Sequence, residues 1–138
     1  MPPPLPPARR PYAALPLLWA AFILLLTLTP AREMPITPAW KLLSFDTAAH
    51  AGVFGVLAAL SWFSLRRQRR WPVLAQQATA VVLAGCVAFG ALIEVLQYLM
   101  AQGRHAEWSD LLSDSIGALL ALVLAAVLAR RWPLAAWV

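Results

Sequence analysis

Four long apolar stretches alternate with short polar segments along the chain. They cover about residues 12–29, 47–65, 73–100 and 111–129. Each reaches the roughly 18 residues that a helix needs to cross the hydrocarbon core of a membrane. Because backbone groups in lipid must find their hydrogen bonds within the segment, the pattern predicts an all-α polytopic membrane protein, a bundle of four transmembrane helices. The third stretch would be about 42 Å long as one helix, so we expect it to tilt or protrude.

The polar segments divide the chain into a leader, one membrane domain and a tail. Residues 1–11, MPPPLPPARRP, are too rich in proline for a helix, so we expect a disordered leader. Residues 12–131 form the four-helix domain, and residues 132–138 form a short tail. Composition excludes an ordinary soluble domain, because only 12% of the residues are charged and 62% are hydrophobic, whereas soluble domains carry about 25% charged residues.

Basic residues are distributed unevenly between the two ends of the predicted helices. Eight of the 11 fall on one side, in the leader, in the RRQRR segment after the second stretch and in the pair after the fourth. Arg32, Lys41 and Arg104 fall on the other side. Since basic residues in short loops stay in the cytoplasm, we predict cytoplasmic termini and an external Arg104 loop. The basic inner rim predicts contact with anionic membrane lipids, and nothing in the sequence resembles a nucleic-acid-binding module.

Ionisable side chains inside the apolar stretches gather near the predicted outer end. At about 1.5 Å of rise per residue, His50 lies roughly 5 Å below the helix end, Asp114 roughly 6 Å and Glu94 roughly 9 Å. Such residues are costly in lipid and usually face the bundle interior or a wet cavity. Helical spacing also places Gln97 on the same face as Glu94, and Asp110 on the same face as Asp114. These residues form the candidate functional site.

Each candidate residue has a structural interpretation beside the functional one. Asp46 and Asp110 stand at helix starts, where a carboxylate can cap the helix. His50, one turn after Asp46, is either a packed, hydrogen-bonded histidine or a base oriented by that aspartate. Glu94 either bonds a neighbouring helix or takes part in binding or chemistry. Arg104 is either the ion partner of Glu94 or Asp110, or an anion-binding residue.

We predict a ligand-binding site at this end, and leave open whether it is catalytic. The predicted ligand-binding residues are Glu94, Gln97, Arg104, Asp110 and Asp114. If the site is catalytic, the candidates are Glu94, His50 and Asp46. The acidic and histidine residues lack a metal-binding spacing such as H-E-x-x-H, so we expect no metal and no cofactor. A divalent ion held by His50, Glu94 and Asp110 is the remaining metal alternative.

The spacing of these polar residues resembles that of the VanZ-like family of small bacterial membrane proteins. The resemblance covers about residues 46–117 and the helix that follows. Three positions depart from the family pattern, because Thr47 replaces a usual lysine, Asp114 a usual asparagine and Ala121 a common glycine. The motifs that carry it are D-x-x-x-H (Asp46, His50), E-x-x-Q (Glu94, Gln97) and R-x5-D-x3-[N/D]-x2-G (Arg104, Asp110, Asp114, Gly117).

The resemblance implies a multi-pass protein of the bacterial inner membrane and a link to resistance against the glycopeptide antibiotic teicoplanin. It implies no particular reaction. One class of function is a binding or remodelling protein of the cell envelope, whose outer pocket recognises a lipid headgroup, an envelope precursor or a glycopeptide. The alternative is a membrane-embedded enzyme acting on an envelope lipid or precursor with Glu94, His50 and Arg104. We favour binding, because none of the candidate site residues is a Ser or Cys nucleophile.

Two further classes of function remain as alternatives. A proton-coupled transporter is disfavoured, because four spans without an internal repeat are too few for a monomeric one. A structural assembly factor would need no ligand at all.

Overall fold

The computed structural model describes residues 13–30, 45–68, 70–100 and 107–131. Within these residues it contains helices and no strand, so the predicted all-α fold is confirmed for them. The predicted leader and tail, and residue Arg104, lie outside the described residues. The helices are α1 (Ala14–Leu28), α2 (Phe45–Arg67), α3 (Pro72–Gln76), α4 (Ala78–Met100) and α5 (Trp108–Arg131).

Three of the helices are long and apolar enough to cross a membrane. They are α2, α4 and α5, with 23, 23 and 24 residues. At about 1.5 Å per residue each extends roughly 35 Å, which exceeds the roughly 30 Å hydrocarbon core. α1 is also apolar but has only 15 residues. The described residues therefore contain three helices that could span a membrane and a shorter apolar one, as expected for a membrane protein. The side on which its termini lie stays a prediction.

The third apolar stretch contains two helices instead of one. Pro72 begins α3, a position where its missing N–H removes no helical hydrogen bond. Gln77 separates α3 from α4, and the Gln68 side chain closes the preceding turn by bonding both backbone groups of Trp71, at 2.7 and 2.8 Å. α4 alone matches the membrane thickness. The excess length predicted from sequence is thus taken up by α3.

Small residues allow α2 and α5 to approach closely. A Cβ atom added to Gly117 on α5 would overlap the backbone of Ala51 on α2, including its carbonyl oxygen. One turn further along, a Cβ on Gly55 would lie 3.3 Å from the Gly117 carbonyl oxygen and 3.7 Å from Ala121. Such small-residue contacts are typical of helix pairs in membranes. This contact fixes the register that brings His50 of α2 beside Asp114 of α5.

Two tryptophan side chains connect α1 and α4 to α2. The Trp19 indole N–H of α1 donates to the Val53 carbonyl oxygen at 2.9 Å, so Trp19 contacts α2 and does not only pack within its own helix. The Trp62 indole N–H donates to the Thr79 hydroxyl of α4 at 3.2 Å. The side chains buried around these contacts include Ile23, Phe54, Leu57, Val82, Ile93 and Leu122.

Large apolar side chains cover the outside of the bundle. Leu17 is 68% exposed, Leu92 50% and Leu120 64%, and they belong to three different helices. Soluble monomers rarely expose continuous apolar surface of this kind, because water contact with it is unfavourable. The exposed apolar surface is therefore the surface that faces lipid.

Candidate functional site

The described site residues all come from the same end of the bundle, which we call the polar end. There α2 and α5 begin and α4 ends. The opposite end, where Arg66, Arg130 and Arg131 lie, is the arginine end. Because α4 runs opposite to α2 and α5, residues far apart in sequence lie at the same level of the bundle. The residues at the polar end are Asp46 and His50 of α2, Glu94 and Gln97 of α4, and Asp110 and Asp114 of α5.

The His50 ring lies between two carboxylates of α5. Its Nδ1 is 3.0 Å from Asp114 Oδ1, within hydrogen-bond distance, and its Nε2 is 3.8 Å from Asp110 Oδ2. Asp110 and Asp114 are one helical turn apart, so both face α2. The His50 and Asp114 side chains are 7% and 2% exposed. The residue that orients His50 is therefore Asp114, whereas sequence spacing had indicated Asp46.

Asp46 completes this group from the first turn of α2. One ligand atom from each of Asp46, His50 and Asp110 lies within 4.8 Å of the others. Asp46 is exposed, which opens the group to the aqueous side of the polar end. The three residues together with Asp114 are called the histidine cluster below.

A glycine on α4 makes room for the buried Asp114 carboxylate. A Cβ atom on Gly90 would lie 3.1 Å from Asp114 Oδ2 and 3.1 Å from the Leu111 side chain. A larger residue at this position would push against the carboxylate that holds His50. Nothing in the spacing of the sequence singled out Gly90 as a neighbour of Asp114.

Glu94 lies in a groove beside the histidine cluster. Its Oε2 accepts a hydrogen bond of 2.7 Å from the Glu107 backbone N–H, which joins the end of α4 to the start of α5. Its Oε1 is buried and has no hydrogen-bond partner among the described residues. The groove has a volume of about 280 Å³, and its lining includes Val95, Tyr98 and Trp108. Glu94 therefore presents one free acceptor to a largely apolar groove with aromatic edges.

Gln97 contributes to packing between α4 and α1. Its side-chain N–H donates to the Thr27 carbonyl oxygen at 2.8 Å, near the end of α1. Its Oε1 is buried without a hydrogen-bond partner in the described part of the chain. The donor of Gln97 is thus used to hold α1, and any contribution to ligand binding would come from its oxygen.

Arg104 falls in residues 101–106, outside the described residues, so its predicted partnership with Glu94 or Asp110 stays a prediction. The contact that the structure gives Glu94 comes from the Glu107 backbone. No residue pattern could have indicated it, because any non-proline residue carries the same N–H group.

The arrangement supports two kinds of chemistry. A histidine whose Nδ1 is held by a carboxylate can accept a proton or bind a cation through its other nitrogen. A buried carboxylate oxygen in an apolar groove can accept a hydrogen bond from a hydroxyl or ammonium group of a ligand. The histidine cluster lies between α2 and α5, and the groove lies between α4 and the start of α5.

Comparison with known proteins supports the resemblance found in the motifs. A family model described as VanZ/LLP1 matches residues 12–129, which include all the described site residues. Neither a curated protein nor a solved structure matches the chain significantly. Because the match covers most of the sequence, this membrane protein belongs to the VanZ-like family.

Proposed function

We propose that this protein binds the polar headgroup of a membrane lipid or lipid-linked envelope precursor at the polar end of its bundle. The observation that carries the proposal is the buried Glu94 Oε1, which has no hydrogen-bond partner among the described residues. A buried acceptor without a partner is rare and costs about 1–3 kcal/mol. A hydroxyl or ammonium group of a bound headgroup would supply the missing donor.

The groove around Glu94 suits an amphipathic ligand. Ala91, Val95 and Leu111 give it an apolar wall against which a hydrocarbon chain can pack. Tyr98 and Trp108 are 75% and 86% exposed, and such aromatic side chains favour the boundary between hydrocarbon and headgroups. An aromatic face beside a carboxylate also attracts an ammonium group. The proposed ligand therefore places its chain along the apolar wall and its headgroup at Glu94.

Loss of the Glu94 charge is expected to weaken headgroup binding about 10- to 100-fold, as a hydrogen bond to a charged group contributes about 1.5–3 kcal/mol. Native mass spectrometry of protein extracted with its own lipids measures this, by comparing the bound fraction in wild type and Glu94→Gln. Glu107→Gln is the matched control, because that carboxylate lines the same groove but is exposed and already accepts a hydrogen bond from Ser109 at 3.2 Å, so a loss confined to Glu94→Gln assigns the effect to the buried Glu94 oxygen. Equal lipid retention in all three proteins would contradict the proposal.

The polar end is proposed to face the outside of the inner membrane, because eight of the 11 basic residues belong to the opposite side. An impermeant maleimide is expected to label Ser109→Cys in intact cells and Gln76→Cys only after lysis. Both positions are exposed, and a Cys86→Ala background removes the single native thiol. The reverse labelling pattern would place the groove in the cytoplasm and exclude an external ligand.

The family link extends the proposal to teicoplanin as a glycopeptide ligand of the same groove. Adding teicoplanin to the native mass spectrometry samples tests it directly. Binding to wild type that is lost in Glu94→Gln supports a shared groove, and absence of a complex removes teicoplanin from the proposed ligands.

A membrane-embedded enzyme acting on an envelope lipid or precursor is the second candidate function. The hydrogen bond between His50 Nδ1 and Asp114 favours it, because a histidine held by a carboxylate is the usual arrangement of a general base. In this alternative Glu94 and Arg104 would bind and orient the substrate. New lipid products formed by wild type but not by His50→Gln would favour this alternative over binding alone.

A further inference from the structure

Three possible metal ligands converge at the starts of α2 and α5. They differ from the set named from the sequence, because Asp46 takes the place of Glu94 beside His50 and Asp110. Asp46, His50 and Asp110 bring one ligand atom each within 4.8 Å of one another. We propose that these three residues bind a divalent transition-metal cation, with His50 coordinating through Nε2. This site is independent of the Glu94 groove and of the headgroup proposed for it.

The orientation of the His50 ring is the first argument for the site. Nδ1 is engaged by Asp114 Oδ1 at 3.0 Å, on a side chain that is only 7% exposed. The remaining nitrogen, Nε2, faces Asp110 and has no hydrogen bond to the described residues. Histidines that bind metals commonly donate their second ring N–H to a carboxylate, which fixes the tautomer and raises the ligand basicity of the other nitrogen. Asp114 has the position and burial of such a supporting carboxylate.

The separation between His50 Nε2 and Asp110 Oδ2 is the second argument. At 3.8 Å it is too long for a hydrogen bond, since N–H···O bonds are about 2.7–3.2 Å long. Two ligands with metal bonds of about 2.0–2.2 Å lie about 3.0–3.7 Å apart at ordinary coordination angles. A shift of a few tenths of an ångström would therefore place both atoms on one cation.

Charge is the third argument. The histidine cluster places three carboxylates beside one imidazole at the end of an apolar bundle, and Asp114 is almost fully buried. Like charges at this spacing repel each other, and their removal from water is unfavourable. A divalent cation between Asp46, Asp110 and His50 would offset both costs. The exposed Asp46 gives the ion a path from water.

The ligand set indicates the class of metal. One imidazole and two carboxylates, with no thiolate, suit Zn²⁺ or Mn²⁺. Three protein ligands leave coordination positions open, as in metal sites that also bind water or a ligand oxygen. The spacing D-x-x-x-H on α2 contributes two ligands, and the third comes from α5, so a search for a local two-histidine motif does not detect the site.

Titration of the purified full-length protein with Mn²⁺, followed by electron paramagnetic resonance, tests the site. We expect one saturable Mn²⁺ per chain with nitrogen coupling from one histidine. Asp46→Asn, His50→Gln and Asp110→Asn should each weaken binding by more than the 10- to 100-fold loss typical of a supporting residue, which is the loss expected for Asp114→Asn. Glu107→Gln, which removes a carboxylate outside the histidine cluster, should bind Mn²⁺ like wild type.

The exposed Asp46 makes the test decisive, because its side chain is not part of the buried core and its replacement by asparagine is nearly isosteric. Wild-type affinity in Asp46→Asn, or no saturable Mn²⁺ binding by wild type, would show that the cluster is a metal-free Asp–His–Asp network and overturn the proposal. Competition with Zn²⁺ distinguishes the preferred ion. Since no lipid is added, failure of headgroup binding leaves this result unaffected.

Discussion

Replacing Asp114 with alanine should lower the free energy of unfolding by about 3–5 kcal/mol, because it leaves the buried His50 without its charged partner. Asp114→Asn should lower the free energy of unfolding by less than about 1.5 kcal/mol, because the amide oxygen can still accept a hydrogen bond from His50 Nδ1. Only the difference between a charged and a neutral acceptor is then lost. Thermal unfolding in detergent micelles, followed by circular dichroism, measures both variants.

A double-mutant cycle separates this contact from other effects of the substitution. His50→Ala and Asp114→Ala together should cost clearly less than the sum of the single losses, because neither group is then left buried alone. Strictly additive losses, or equal losses for Asp114→Ala and Asp114→Asn, would show that the 3.0 Å contact does not stabilise the bundle.

Gly117→Ala is expected to separate α2 from α5 and to destabilise the protein by at least about 1–3 kcal/mol, the usual cost of overpacking. The added methyl group meets the backbone of Ala51, which cannot rotate away as a flexible side chain could. The same displacement would move Asp110 and Asp114 away from His50. Mn²⁺ affinity and thermal stability should therefore fall together.

Gly52→Ala is the matched control for this substitution. Gly52 lies on α2 close to the same contact, but a Cβ there has nothing within 4 Å. Because alanine favours helices over glycine by up to about 1 kcal/mol, Gly52→Ala should be neutral or stabilising. A Gly117→Ala protein as stable as Gly52→Ala would contradict the close contact between α2 and α5.

The sequence was sufficient to predict the helices and the end at which the polar residues meet. Apolar length and the unfavourable cost of polar groups in lipid act locally, so they can be recognised without knowing the packing. The predicted apolar length holds for α2, α4 and α5, whereas α1 has only 15 residues. The interruption at Gln77 was missed, because the predominantly apolar stretch 73–100 is compatible with one continuous helix and the adjacent Gln76 and Gln77 do not by themselves mark a helix end.

The partners within the candidate site could not be predicted in the same way. Asp114 is 64 residues from His50 and belongs to another helix. Which aspartate reaches the ring depends on the register between α2 and α5, and that register depends on the absence of a side chain at Gly117. The nearer Asp46, one turn away on the same helix, was the only partner that helical spacing alone could suggest.

The 64-residue separation also orders events during biosynthesis. At translation rates of about 5–20 residues per second, His50 is made about 3–13 s before Asp114. Throughout that interval the His50 ring has no α5 carboxylate beside it, and the close contact between α2 and α5 has only one of its two surfaces. Insertion of α2 must therefore tolerate an unpaired histidine, and α5 completes the bundle when it enters as the last described helix.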